Sequence, residues 1–139
     1  MFRGFEEVKK EFKKHREAVK LPTSRGNYSV GYDFYSPERI VIPPFGKSSV
    51  ISTDVKAYMQ YDEMLLLHVP NSVSIEQGLT LANCIGIIDS DYFENPDNDG
   101  NICFVLQNNT DKTQVIEKGE RVIQGIFMSS LIALMLAYK

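Results

Sequence analysis

The rhythm of apolar and polar positions changes near Pro22. Before it, Phe5, Val8, Phe12 and Val19 recur among Glu and Lys at near-helical intervals. That spacing predicts a short surface helix over residues 5–19, ending at Leu21-Pro22 because a residue before proline avoids helical dihedrals. Glu6 and Lys10, four apart, would share one face of it. After Pro22, short β-branched and aromatic runs take over: Arg39–Ile42, Ser49–Val55, Met64–Val69, Ile85–Ile88, Ile102–Leu106, Gln114–Ile116 and Val122–Phe127. Pro43-Pro44, Asn71, Asn95-Pro96, Asp99-Gly100 and Lys118-Gly119 punctuate them as turns. Seven or more short strands with no long helix between them predict an all-β domain, closed or sandwiched.

Composition narrows the chemistry. The 139 residues fit a single domain, expected over 1–139, able to bury a core without staples. Fifteen basic and eighteen acidic side chains give a net charge of -3, against a duplex-binding face, so no nucleic-acid partner is expected. Cys84, Cys103, His15 and His68 lack zinc-site spacing, which sets aside zinc modules and disulfide scaffolds. The charged start suggests no signal peptide, and the apolar run Leu131–Tyr138 is too short to span a bilayer. A cytoplasmic protein without membrane association is the expectation.

Two motif fragments fail on inspection. Gly46-Lys47-Ser48 ends like a phosphate loop, but Val41 stands where its first glycine belongs. The stretch from Asn95 mimics an EF-hand loop, yet its twelfth position is Leu106 and the bidentate carboxylate is missing. His68 sits inside an apolar run and reads as a satisfied or outward-facing strand residue rather than a base.

The segment from Gly78 to Tyr92 stands out. Asp89, Asp91 and Tyr92 follow apolar β-formers, and a carboxylate at a strand end can orient and deprotonate water. Tyr92 could stack a planar ligand, and Asn83 carries the paired donor and acceptor that read a base edge. A strand followed by an acidic turn would look the same.

Gly86-Ile-Ile-Asp89-Ser-Asp91-Tyr92 resembles the third motif of trimeric dUTPases. Val30-Gly31-Tyr32-Asp33-Phe34 resembles the first motif, and Gly119-Glu-Arg121-Val-Ile-Gln124 the fourth, in the family's order and spacing. Arg3-Gly4-Phe5, Asp54–Met59 and Asn95–Asn101 look like its clostridial branch. The resemblance implies a distorted jelly-roll β-barrel, a homotrimer with active sites at subunit interfaces, and hydrolysis of dUTP to dUMP and pyrophosphate with Mg2+. By the same resemblance Asp89 activates the water, and Asn83 meets the uracil edge. Tyr92 lies under the deoxyribose, Gln124 contacts the phosphates, and Asp33 supports magnesium indirectly through water. Gly86 and Ser72 complete the substrate-binding set.

The match breaks in the phosphate half. Pro70, Asn71 and Ser72 occupy the positions of the family's Arg-Ser-Ser core, so the guanidinium clamp is lost. Glu76 replaces a usual lysine, and an apolar ending from Ser129 stands where a glycine-rich arm is expected. Weak or lost hydrolysis follows as an expectation. Two alternatives stay open: a non-catalytic deoxyuridine-nucleotide sensor, and a structural trimer whose surface binds a protein partner. Lys47 and Arg121 are the candidate substitute cations.

Overall fold

A computed structural model describes residues 2–133. Within them the chain is nearly all β. The strands run β1 (Gly4–Glu7), β2 (Thr23–Ser24), β3 (Gly31–Tyr35), β4 (Ile40–Ile42), β5 (Ile51–Ser52), β6 (Val55–Tyr58) and β7 (Glu63–His68), followed by β8 (Leu79–Leu81), β9 (Gly86–Asp89), β10 (Cys103–Phe104), β11 (Leu106–Asn108), β12 (Gln114–Ile116) and β13 (Arg121–Ser129).

The largest sheet is antiparallel, in the order β2-β3-β13-β7-β9. Four two-stranded ribbons, β1-β6, β10-β5, β11-β8 and β12-β4, surround the same core. Alternation explains the inward faces: Ile40 and Ile42 are buried while Val41 between them is exposed, and Leu65 and Leu67 do the same on β7. Phe34, Ile51, Leu79, Ile102, Leu106, Ile116, Val122 and Ile123 complete one continuous cluster. A bulge between Arg121 and Ile123 lets consecutive Val122 and Ile123 both turn inward.

The helix predicted over residues 5–19 does not form. Gly4–Glu7 is a strand on β6, and only Lys10–Phe12 makes a single 3-10 turn. Tertiary contacts override the local periodicity. The Phe5 ring packs 5.3–5.4 Å from those of Tyr32, Phe34 and Phe127. The charged residues then reach distant partners. Arg3 bonds Glu63, the Lys9 amide donates to Asp99 at 2.8 Å, and His15 lies between Asp54 and Glu38. The segment is a strap laid across the β core. β1, β2, β3 and β8 are absent from the predicted runs.

Two buried polar knots lock the strap and loops. Lys56, 3% exposed, places Nζ 2.9 Å from Asp99 and 2.7 Å from Glu94. Asp54, wholly buried, accepts from the Lys14 and His15 amides and from Asn101 Nδ2. Among the described residues no helix is long and apolar enough to cross a membrane. Most of the apolar ending lies outside the described residues; of its start, Leu131 and Ile132 are exposed.

Candidate functional site

The residues singled out from sequence fall into two groups on this chain. The first lies on the β8–β9 side. Asn83 sits in the turn between those strands, whose path needs Cys84 at φ 68° and is closed by its amide on the Leu81 carbonyl. The exposed Asn83 amide stands at the rim of a pocket of ≈ 240 Å³ floored by Leu67, Leu81, Gly86 and Phe104. An apolar floor with one convergent donor–acceptor group suits a planar heterocycle. Gly86 packs closely against β7 there: an added Cβ would lie 3.1 Å from Leu67 Cβ, a tight contact that Leu67 would have to relieve by a few tenths of an ångström.

Asp89 ends β9 opposite Met64. Its backbone stays extended and a 3-10 turn, Ser90–Tyr92, follows at once. The carboxylate is exposed and makes no hydrogen bond or ion pair among the described residues. It is therefore free to accept from a water. Tyr92, half-buried, is held rather than free. Its hydroxyl donates to the Asn101 carbonyl at 3.2 Å and accepts from Asn98 Nδ2 at 2.7 Å. Asn95 binds the Tyr92 carbonyl and the Asp97 and Asn98 amides, knitting the loop beneath the ring. Asp99 and Gly100 turn there at φ 60° and 84°, as the Asp-Gly signal predicts. The structural work of Asn98, and of Asp99 on Lys56, was not foreseen.

The second group surrounds Asp33, on β3 and 1% exposed. Its Oδ2 accepts from Arg25 Nε at 3.0 Å and faces Arg121 Nε at 3.4 Å, while Oδ1 accepts from Gln124 Nε2 at 3.2 Å. The bulge in β13 makes this possible. In a regular strand Arg121 and Gln124, three apart, would point to opposite faces. Beside this knot opens a cleft of ≈ 360 Å³ lined by Arg25, His68, Pro70, Asn71, Ser72 and Gln124. Pro70 is buried, and its carbonyl accepts from the Val73 and Ser74 amides to start the single turn Ser72–Glu76. Glu76 is exposed and does not line the cleft. Of the two candidate substitute cations, Arg121 reaches Asp33, whereas Lys47 bridges Gln107 away from the cleft. Arg25 and His68, which do line it, were missed or set aside.

Gln124 pairs with His68 at one end of β7 and Asp89 with Met64 towards the other. His68 and Met64 are four positions apart, so Gln124 and Asp89 stand about 13 Å apart along the strand, whereas the pocket rimmed by Asn83 meets β7 at Leu67, next to His68. Magnesium has no protein-built cage: among the described residues no three His, Cys, Asp or Glu cluster to hold a metal. Asp33 is already occupied by two guanidiniums and the Gln124 amide.

A family model described as dUTPase matches residues 17–138. The deoxyuridine 5'-triphosphate nucleotidohydrolase of Lactococcus lactis is 43% identical over 131 residues, covering 94% of this chain and 85% of that protein. The variola virus protein of the same name is 33% identical, covering 84% and 72%. The crystal structure of dUTPase from Streptococcus mutans superposes with a TM-score of 0.81 at 39% identity, covering 95% of this chain and 99% of that one.

Proposed function

The chain belongs to the dUTPase family, and from that membership we propose that it hydrolyses dUTP to dUMP and pyrophosphate as a single-domain, cytoplasmic homotrimer. The observation that carries this is the Asp89 carboxylate, unengaged among the described residues, at the end of β9, the strand whose first residue, Gly86, lines the apolar pocket rimmed by Asn83. Asn83 reads the uracil edge, Gly86 leaves the base room against β7, and Tyr92, pinned by Asn98, presents its ring to the deoxyribose. Asp89 accepts the proton of a water that attacks the α-phosphorus. The bond to the bridging oxygen breaks and pyrophosphate leaves. Magnesium arrives with the substrate, as the counter-ion of the triphosphate, and neutralises charge on it.

The distance between Asp89 and the Ser72–Gln124 cleft supports assembly. A second copy could set its phosphate-side cleft against the first copy's Asp89. Exposed Ile85 just before edge strand β9, exposed Ile87 on it and exposed Val50 at the pocket mouth give apolar area for such contacts.

The second reading is a deoxyuridine-nucleotide sensor that binds without turnover. Buried Pro70, with no guanidinium to offer, favours it. The experiment is pyrophosphate release from dUTP with magnesium, beside dCTP, TTP and UTP, for the parent and Asp89→Asn. Release from dUTP alone, lowered about 10²–10⁴-fold in Asp89→Asn, is expected. Binding of dUMP without any release supports the sensor and refutes the enzyme. Sedimentation at assay concentration reads the trimer separately.

A further inference from the structure

The β2–β3 hairpin carries a guanidinium to the place where the sequence lacks one. Arg25 follows β2, whose Thr23 pairs with Asp33 and Ser24 with Tyr32. That register sets the Arg25 side chain over Asp33, at 3.0 Å through Nε. Arg25 is otherwise half-exposed and has no other hydrogen-bond partner among the described residues. It lines the same cleft as Pro70, Asn71 and Ser72.

We infer that Arg25 is the phosphate clamp of this chain, a substrate-contacting cation that replaces the arginine absent at position 70. Three features fit it for that work. The buried Asp33 carboxylate fixes the guanidinium plane by its Nε edge, leaving the terminal N–H groups to meet an anion in the rigid fork that suits phosphate. Arg25 and Arg121 share that single carboxylate, so the knot keeps one net positive charge. The Ser72 hydroxyl and the Asn71 and Gln124 side-chain amides line the cleft beside it as neutral donors. The ligand class is a polyphosphate chain, and its attachment to deoxyuridine rests on the proposed function. His68, whose Nδ1 lies 3.0 Å from the Val69 carbonyl, also lines this cleft.

Arg25→Gln and Arg25→Lys separate this idea from the identity of the base. Gln removes the charge but can still donate to Asp33; Lys keeps a charge without the fork. Calorimetric binding of inorganic tripolyphosphate is the primary readout, and dUTP turnover with dUMP binding the second. The parent protein binds tripolyphosphate. Arg25→Gln loses that binding and ~10²–10³-fold of kcat/KM for dUTP, Arg25→Lys is intermediate, and deoxyuridine binding is unchanged in all. Thermal midpoints close to the parent's show that both variants fold. Equal tripolyphosphate binding by parent and Arg25→Gln, or equal turnover, overturns the clamp while the dUTP reading stands. Tripolyphosphate binding that needs Arg25, with no release from dUTP, upholds the clamp and overturns the enzyme. No tripolyphosphate binding by the parent overturns the clamp.

Discussion

Replacing Asp99 by alanine tests whether the strap and the Tyr92 loop share one electrostatic lock. Asp99 Oδ2 stands 2.9 Å from Lys56 Nζ and accepts the Lys9 amide at 2.8 Å. Both charges are almost fully buried, at 2% and 3% exposure. Burial disfavours the ionised form of each, yet the Lys9 amide and Lys56 outweigh it for Asp99, and Glu94 and Asp99 outweigh it for Lys56. The Asp99 carboxyl is held below its ordinary value, and the Lys56 ammonium above its own. Removing one member of a buried pair costs about 3–5 kcal/mol, because the other charge stays behind. Here Lys56 keeps Glu94 at 2.7 Å, a charged hydrogen bond whose retention offsets part of that loss. A net loss of about 3 kcal/mol follows, equivalent to roughly 10 °C for a chain of this size. The assay is urea denaturation at fixed protein concentration, since any assembly makes the midpoint concentration-dependent. The double variant Lys56→Met, Asp99→Asn removes both charges, keeps a residue that tolerates φ 60°, and should recover to within about 1 kcal/mol of the parent. Asp99→Ala within 0.5 kcal/mol of the parent, or a double variant worse than the single one, would refute the lock.

Burial opposes the charge on His15, but bonds to Glu38 and Asp54 raise its pKa above 6.5. Its stabilisation is then complete below the unfolded value and lost as pH rises through the folded one. Denaturation midpoints should fall across that neutral window in the parent and lose the slope in His15→Gln. Asp54, lowered despite burial, acts at the opposite end: its contribution disappears as pH falls through its folded value, below 3.8. Gly100→Ala meets φ 84° and places Cβ 2.9 Å from the Tyr92 carbonyl oxygen. It should cost about 1–2 kcal/mol or more and raise KM for dUTP by loosening the Tyr92 ring; a Tm unchanged by calorimetry would contradict that. In Gly31→Ala the new methyl displaces only the flexible Gln124 side chain, so turnover should fall further than stability, read by parallel kinetics and melts.

How legible each part was from sequence depends on where its information resides. Gln114–Ile116 is a strand from end to end as predicted, and Ile40–Ile42 lies within its predicted run, because a buried face imposes period-two alternation. Residues 5–19 misled because Phe5 and Val8 satisfy helical spacing equally well. Only the presence of Tyr32, Phe34 and Phe127 decides for a strand. β8 was lost inside the Gly78–Tyr92 segment, whose apolar run was not divided into separate strands, and two-residue β2 carries no pattern at all. Asp89, Asn83 and Tyr92 were visible because their chemistry is carried by neighbours in sequence. Arg25 was not. Its worth depends on Asp33, eight positions away, and on a hairpin register that no local signal specifies. His68 was set aside as a strand residue, yet it faces the cleft, since alternation along β7 places it opposite inward Leu65 and Leu67.

The two halves of the site differ in how finished they are on one chain. Around Asp33 the charges are buried or paired, and geometry is set by β2, β3 and the bulged β13. Around Asp89 the carboxylate is exposed, with no partner among the described residues. In that medium a charge about 4 Å away is worth about 1 kcal/mol, against several times that where water is excluded. A base that must poise one water at the α-phosphorus gains little from such an environment. The phosphate cleft meets β7 at His68, whereas Asp89 pairs with Met64 four positions along the strand, so no small movement of one chain closes the gap between them. A second copy docking its cleft over the first copy's Asp89 would do both things at once: bring cations to the phosphates and dry the carboxylate. On this reasoning catalysis and assembly are one equilibrium. Specific activity should fall on dilution below the dissociation constant while the protein remains folded by circular dichroism. Constant specific activity across a measured trimer-to-monomer transition would show that one chain suffices.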